Sequence, residues 1–292
     1  MVGRRSLIAF VLITLAVAAS WAYAGSPNEE ALPLLDAASY AQWQAEEATF
    51  TPGATAGQPA WSFHIKVDWS TGEPNYPIGW PRVARHPQGK LADWRGWEQI
   101  RYRVYAAGDR GVLPDNALAL VVGTGEKGIS WEQNADGLRP GEWREYAYDL
   151  SAVPLRERVR YVEFAIAESE YHDGESLDFW IDSLELVRYT RPTLMDLSLE
   201  SHTLFADQKT FAFTVQLFGV RAGQTVPVQV SLQRTGKTVA TQQVRAGEGL
   251  TPLALSIPRT VPPGAYQIVV RLGDQTLRGE LTLVSSPWQE AK

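Results

Sequence analysis

Cysteine is absent from the chain. That removes disulfides, thiolate metal ligands, a cysteine nucleophile and the lipid-modified cysteine of a lipoprotein anchor. Histidine is scarce. The four residues stand at 64, 86, 172 and 202, too scattered for metal-ligand spacing. Cationic excess is lacking too: a net charge of −6 gives no basic footprint, so nucleic acid is not an expected partner. Catalytic motifs are missing as well, with no G-x-S-x-G, no H-E-x-x-H and no phosphate-binding loop. Glu168 and Glu170 could be proposed as a glycosidase pair, which needs two carboxylates at a defined separation across a sugar. Two glutamates in one turn are ordinary, however, and a Ser-His-Asp arrangement leaves no local signature to read. The expectation is a non-enzyme.

Long apolar runs are also missing, with one short exception. Arg4 and Arg5 precede an apolar run from Leu7 to Ala19, and Ala22-Tyr23-Ala24 follows. A positive start, a short apolar stretch and an A-x-A box, in that order, predict a cleavable secretory signal peptide at 1–24. The run is about 13 residues, short of the roughly 20 that a spanning helix needs. An uncleaved anchor is the alternative. The Arg-Arg pair meets a twin-arginine pattern only in part, because Ser6-Leu7-Ile8 follows it. The protein is therefore expected to be secreted or periplasmic, with no membrane span after cleavage.

Tryptophan divides what remains. It stands at 43, 61, 69, 80, 94, 97, 131, 143 and 180, and after that only at 288. Such a shift predicts two domains, 25–190 and 192–286, joined near Arg191-Pro192, where proline ends a strand. The first alternates apolar and polar residues: Trp61 to Trp69, Ile100/Tyr102/Val104 and Val162/Phe164/Ile166 each put apolar side chains on one face. Period two over these lengths means half-buried strands. Ala117 to Val122 is more continuously apolar and reads as a central strand; Ile129–Gln133, Trp143–Leu150 and Phe179–Val187 complete the set, and a short helix is allowed near Ala37–Gln44. The second half predicts seven strands: 194–199, 210–217, 226–234, 237–244, 251–257, 264–272 and 275–284, with Thr235-Gly236 as a tight hairpin turn. Many strands with turn-rich joins indicate an all-β chain of sandwiches, the second of them an immunoglobulin-like β-sandwich without the antibody cysteines. No chemical constellation stands out there, so its expected role is spacer or docking module.

Three stretches carry a resemblance: Tyr76-Pro77-Ile78-Gly79-Trp80-Pro81-Arg82; Asp93-Trp94-Arg95-Gly96-Trp97 leading into Ile100 to Tyr105; and Leu177-Asp178-Phe179-Trp180-Ile181-Asp182-Ser183-Leu184. Together they resemble galactose-binding-like jelly rolls, the fold of many carbohydrate-binding modules, over roughly residues 32 to 190. The resemblance implies a jelly-roll β-sandwich. It also implies a structural calcium, with Asp182 of the closing strand as the ligand position; no other cofactor is implied. The same fold serves sugar binding, adhesion and plain scaffolding.

Sugar recognition needs aromatic faces for the C–H side of a ring and polar groups for its hydroxyls. The loop from Trp69 to Arg85 offers Trp69, Tyr76, Trp80, Arg82 and Arg85, or else these aromatics plug the sandwich end. The segment Glu168-Ser169-Glu170-Tyr171-His172-Asp173-Gly174 offers a polar rim, or else a solvated turn. A third candidate is a sheet face carrying His64, Lys66, Asp68, Gln99, Arg101, Arg103, Tyr105, Glu163, Asp178, Trp180 and Asp182. Its Arg and Lys suit an acidic sugar; the bland reading is an ordinary solvated face. The expected function is non-catalytic recognition of a glycan or polysaccharide. The alternatives are a structural or assembly protein of the cell envelope that binds another protein, and an unrecognised polysaccharide-active enzyme.

Overall fold

The structure, a computed structural model, describes residues 28–70, 79–208, 210–258 and 260–287. The expected signal peptide and Tyr76 lie outside these residues. Among those described, nineteen strands and four short 310 turns make an all-β chain.

Eleven strands build the first half: β1 (Glu29–Leu35), β2 (Trp43–Glu46), β3 (Thr49–Thr55), β4 (Gln58–Lys66), β5 (Arg82–Arg85), β6 (Gln99–Gly108), β7 (Ala119–Thr124), β8 (Ser130–Asn134), β9 (Trp143–Asp149), β10 (Val159–Ala165) and β11 (Ser176–Tyr189). They form two antiparallel sheets. One runs β3-β4-β11-β6-β9, with β1 also on β11; the other runs β2-β5-β10-β7-β8. The long closing strand explains the double use of one edge. Its first part pairs with β4 and its last part with β1, on either side of an irregularity between Ile181 and Ser183. That bulge switches the inward side from Phe179 and Ile181 to Leu184 and Leu186, all of which are buried.

The expected period-two faces are the core faces. Ile100, Tyr102, Val104, Phe63, Ile65, Val162 and Phe164 are all fully buried in one cluster. Each such side chain contributes about 1.5–3 kcal/mol by leaving water. Every residue of β7 is buried, which is why its sequence is continuously apolar. The helix expected near 37–44 is replaced by a single 310 turn, Tyr40–Gln42, after which Trp43 opens β2. The reason is local: the Trp43 indole N–H donates to Leu34 O (3.1 Å), and β2 pairs with β5.

The second half contains β12 (Thr193–Leu199), β13 (Thr203–Phe205), β14 (Thr210–Phe218), β15 (Val226–Arg234), β16 (Lys237–Ala246), β17 (Gly249–Ser256), β18 (Gly264–Leu272) and β19 (Gln275–Val284). These form sheets β12-β14-β17 and β13-β19-β18-β15-β16 around a second core cluster. The hairpin turn is as expected, with Thr235 and Gly236 both at positive φ (47° and 78°). Between the halves, Tyr189 stacks on Phe218 with centroids 5.5 Å apart. The Glu98 carboxylate accepts the backbone N–H groups of Tyr189 and Gly219. Gly219 is required there: its φ is +72°, and a Cβ would lie 2.1 Å from Arg191 O.

Candidate functional site

Two surfaces of the first half collect the sequence-singled residues. The first is one end of the two sheets. Strand β4 stops at Lys66, and an Asx turn follows: Asp68 Oδ1 accepts both the backbone N–H and the hydroxyl of Ser70 (2.9 and 2.6 Å). These bonds hold the Asp68 carboxyl below its ordinary pKa. Glu168 organises this end. It is 2 % exposed, and its two carboxylate oxygens accept the N–H of Asp68 (3.2 Å) and of Gly79 (3.0 Å). Burial pushes its pKa up, against the pull of those two N–H groups. Trp69 and Trp80 sit one residue beyond the clasped positions. The Trp69 backbone N–H donates to Asp173 Oδ1 (3.1 Å) and its indole N–H to Glu168 O (3.3 Å), while the Trp80 N–H donates to Glu47 Oε2 (2.6 Å). The two residues stay 43 % and 44 % exposed.

Several expected ligand residues have other employment here. Arg82 and Arg85 are not in a loop but on β5, because β5 pairs with β2 and β10. Arg82 is ion-paired with Glu46. Arg85 turns inward, is 3 % exposed, and donates to Leu34 O and Gln42 Oε1. Tyr171 belongs to the core: it is 1 % exposed, its hydroxyl donates to Ala117 O (2.6 Å), and Arg110 lies over its ring. Glu170 and His172 are exposed beside it.

The second surface is the outward face of the six-stranded sheet. The expected face residues do meet, because β4, β11 and β6 are neighbours. Glu163 is the exception: it lies on β10, in the other sheet. His64 Nδ1 and Ser62 Oγ lie 3.2 and 2.8 Å from Asp178 Oδ1. Arg103 is 3.2 Å from Asp182 and donates to Gln58 Oε1 (2.6 Å). Arg101 is enclosed by Glu185 (2.6 Å) and Glu29 (3.2 Å) at one end of the face. Trp143 is on this face too, which its sequence context did not reveal: register sets it opposite Tyr105, with ring centroids 5.7 Å apart and Arg103 over its indole. Burial raises the Asp182 pKa, and Arg103 opposes that shift. A guanidinium faces the carboxylate, and no group of three or more His, Asp or Glu among the described residues could hold a metal.

No family model and no curated protein matches the chain. Among solved structures, it is similar to the Endo-D glycoside hydrolase domain from Streptococcus pneumoniae R6 (11 % identity, 82 % of this chain and 37 % of that one, TM-score 0.31). A second similarity is to a carbohydrate-binding module specific for non-crystalline cellulose, CBM28 (12 %, 50 % and 86 %, TM-score 0.33). A third is to a Bacteroides uniformis β-glucuronidase (10 %, 88 % and 32 %, TM-score 0.35). The chain thus spans about a third of the length of the two hydrolases. At these scores the likenesses establish neither the activity nor the ligand of this protein. Among the described residues, no helix is long and apolar enough to cross a membrane.

Proposed function

We propose that this is an exported, non-catalytic binding protein that recognises a carbohydrate through the end of its first sandwich. The observation that carries the reading is the pair of exposed indoles, Trp69 and Trp80, on backbones pinned by Glu168, Asp173 and Glu47. Tryptophan is ordinarily well buried. Two that stay in water on a fixed backbone are prepared for contact, because little ordering entropy is left to lose on binding. Flat apolar rings whose backbones are bonded to the carboxylates of Asp173 and Glu47 suit the two sides of a pyranose.

We read the role as non-catalytic, and the use made of Glu168 supports that reading. Glu168 has the raised pKa of a general acid, but both of its oxygens are taken by backbone N–H groups and it is buried. We read it as a clasp for the loop ends. The first sandwich is read as a galactose-binding-like jelly roll. The second, whose first segment is split between a three- and a five-stranded sheet, is read as an immunoglobulin-like spacer. Glycan-array and affinity-gel binding of the purified protein test this. Retention on a glycan is expected, weakened in the Trp69→Ala/Trp80→Ala variant at an unchanged melting temperature. Folded protein retained by no neutral or acidic glycan would overturn it.

A further inference from the structure

We infer that the outward face of the six-stranded sheet is a second carbohydrate platform, shaped for a neutral polysaccharide chain lying across the strands. The inference rests on the reading above only in taking the ligand to be carbohydrate. Its residues and its location are different.

The argument begins with register. Thr51, Ser62, Trp180, Tyr105 and Trp143 are successive cross-strand partners on β3, β4, β11, β6 and β9. With strands about 4.8 Å apart, the three aromatics form a stripe roughly 10 Å long, perpendicular to the strands; Trp143 ends it, tilted 53° to Tyr105 with the Arg103 guanidinium over its indole, so Trp180 and Tyr105 carry the contact. The Trp180 ring lies down rather than standing up. A Cβ built on Gly53 of β3 would come 2.9 Å from its Cζ3 and 3.2 Å from its Cη2. Between Trp180 and Gly53 runs β4, whose outward residues Ala60 and Ser62 are only 4 % and 5 % exposed although they face away from the core. The indole thus rests on a floor of Gly, Ala and Ser and stays partly exposed. A larger residue at any of the three positions would tip it up.

The flanking rows then select the occupant. On one side stand His64 and Asp178, which pair with each other; on the other stand Arg103, Asp182 and Gln58, also joined. Arg101 is held between two carboxylates. The guanidiniums are therefore already neutralised, which does not suit the acidic sugar expected from their number alone. The paired groups still offer donors and acceptors to hydroxyls. The apolar stripe is one residue wide and bordered by charge, unlike the contiguous apolar patch that a protein or lipid surface would ask for. The Trp143 indole N–H is buried without an acceptor, an orphan donor at one end of the stripe.

The test is affinity electrophoresis of the purified protein in gels containing hydroxyethylcellulose, galactomannan, arabinoxylan, a β-1,3-glucan or dextran, with polygalacturonate as the acidic control. At least one neutral polymer should retard the protein more than polygalacturonate does. Trp180→Ala should weaken that retardation about tenfold or more in Kd, the scale of one lost aromatic contact. Gly53→Val should do the same with Trp180 still present, and Trp180→Phe should retain part of the binding. Melting curves identify which variants are folded, and either of the first two suffices. Unchanged retardation in folded Trp180→Ala or Gly53→Val, preference for polygalacturonate, or loss of all polymer binding in Trp69→Ala/Trp80→Ala would overturn the platform. The last result would leave the end site standing. Conversely, if polymer binding survives that double variant but not Trp180→Ala, the platform stands and the end site falls.

Discussion

Removing the Glu168 carboxylate measures how far one buried side chain holds the exposed tryptophans in place. The Glu168→Ala variant deletes the acceptor for two N–H groups, Asp68 at 3.2 Å and Gly79 at 3.0 Å. A hydrogen bond to a charged group is worth about 1.5–3 kcal/mol. The two amides differ in what happens afterwards. Asp68 is exposed and its N–H can return to water, whereas Gly79 is buried and its N–H cannot. One bond is therefore largely recovered by solvent and the other is lost in full, a net destabilisation of about 1.5–3 kcal/mol. In a sandwich of this size that is a fall in melting temperature of roughly 3–12 °C. Glu168→Gln keeps one acceptor oxygen and should lose about half as much. Differential scanning calorimetry at pH 7 reads the shift. Tryptophan fluorescence should redden in the same variants, since Trp69 is tied to Glu168 through its indole N–H. An Ala variant that melts within a degree of wild type would refute the clasp.

Arg101→Ala should act on stability rather than on binding, because it strands Glu185 and Glu29 without their shared cation. Breaking such a buried set costs about 3–5 kcal/mol, read by urea denaturation; a variant of wild-type stability with lost glycan binding would contradict this. Glu163 on β10 has its pKa raised by burial and by the neighbouring Glu46 and Glu132. A raised carboxyl pKa means the folded state holds the proton more tightly, so the stability it contributes is full below the unfolded pKa and is lost as pH rises through the folded one. Glu163→Gln should therefore melt higher than wild type at pH 7, with the gap closing as pH falls toward 4. Because Asp182 faces Arg103, excess EDTA should leave the melting temperature unchanged, and a drop of several degrees would show a stabilising divalent cation and contradict this.

Much of the fold is legible in the sequence because core faces repeat at period two, and the parity switch from Phe179/Ile181 to Leu184/Leu186 even announces the bulge in β11. The strands that escape notice are those whose chemistry looks like something else. Strand β3 contains Pro52 and Gly53, which interrupt any apolar alternation; it is an edge strand, where proline is tolerated. Strand β5 is four residues with an arginine at each end, and Arg85 is inward, its guanidinium donating to Leu34 O and Gln42 Oε1. The sheet face was legible as alternates on separate strands. That Trp143 joins Tyr105 and Trp180 depends on strand order and register, which alternation alone does not carry. Tyr171 and Glu168 were legible only as polar loop residues, because their burial is imposed by Ala117 on one side and by the ends of the Trp69 loop on the other.

Glycan recognition is tested most directly by the melting temperature of the purified protein in saturating polysaccharide. A ligand that binds only the folded state adds about 2.7 kcal/mol at a hundred times its Kd. The account expects a neutral polysaccharide to raise the transition of the first sandwich by roughly 5–10 °C. No rise with any polysaccharide at saturation would contradict it.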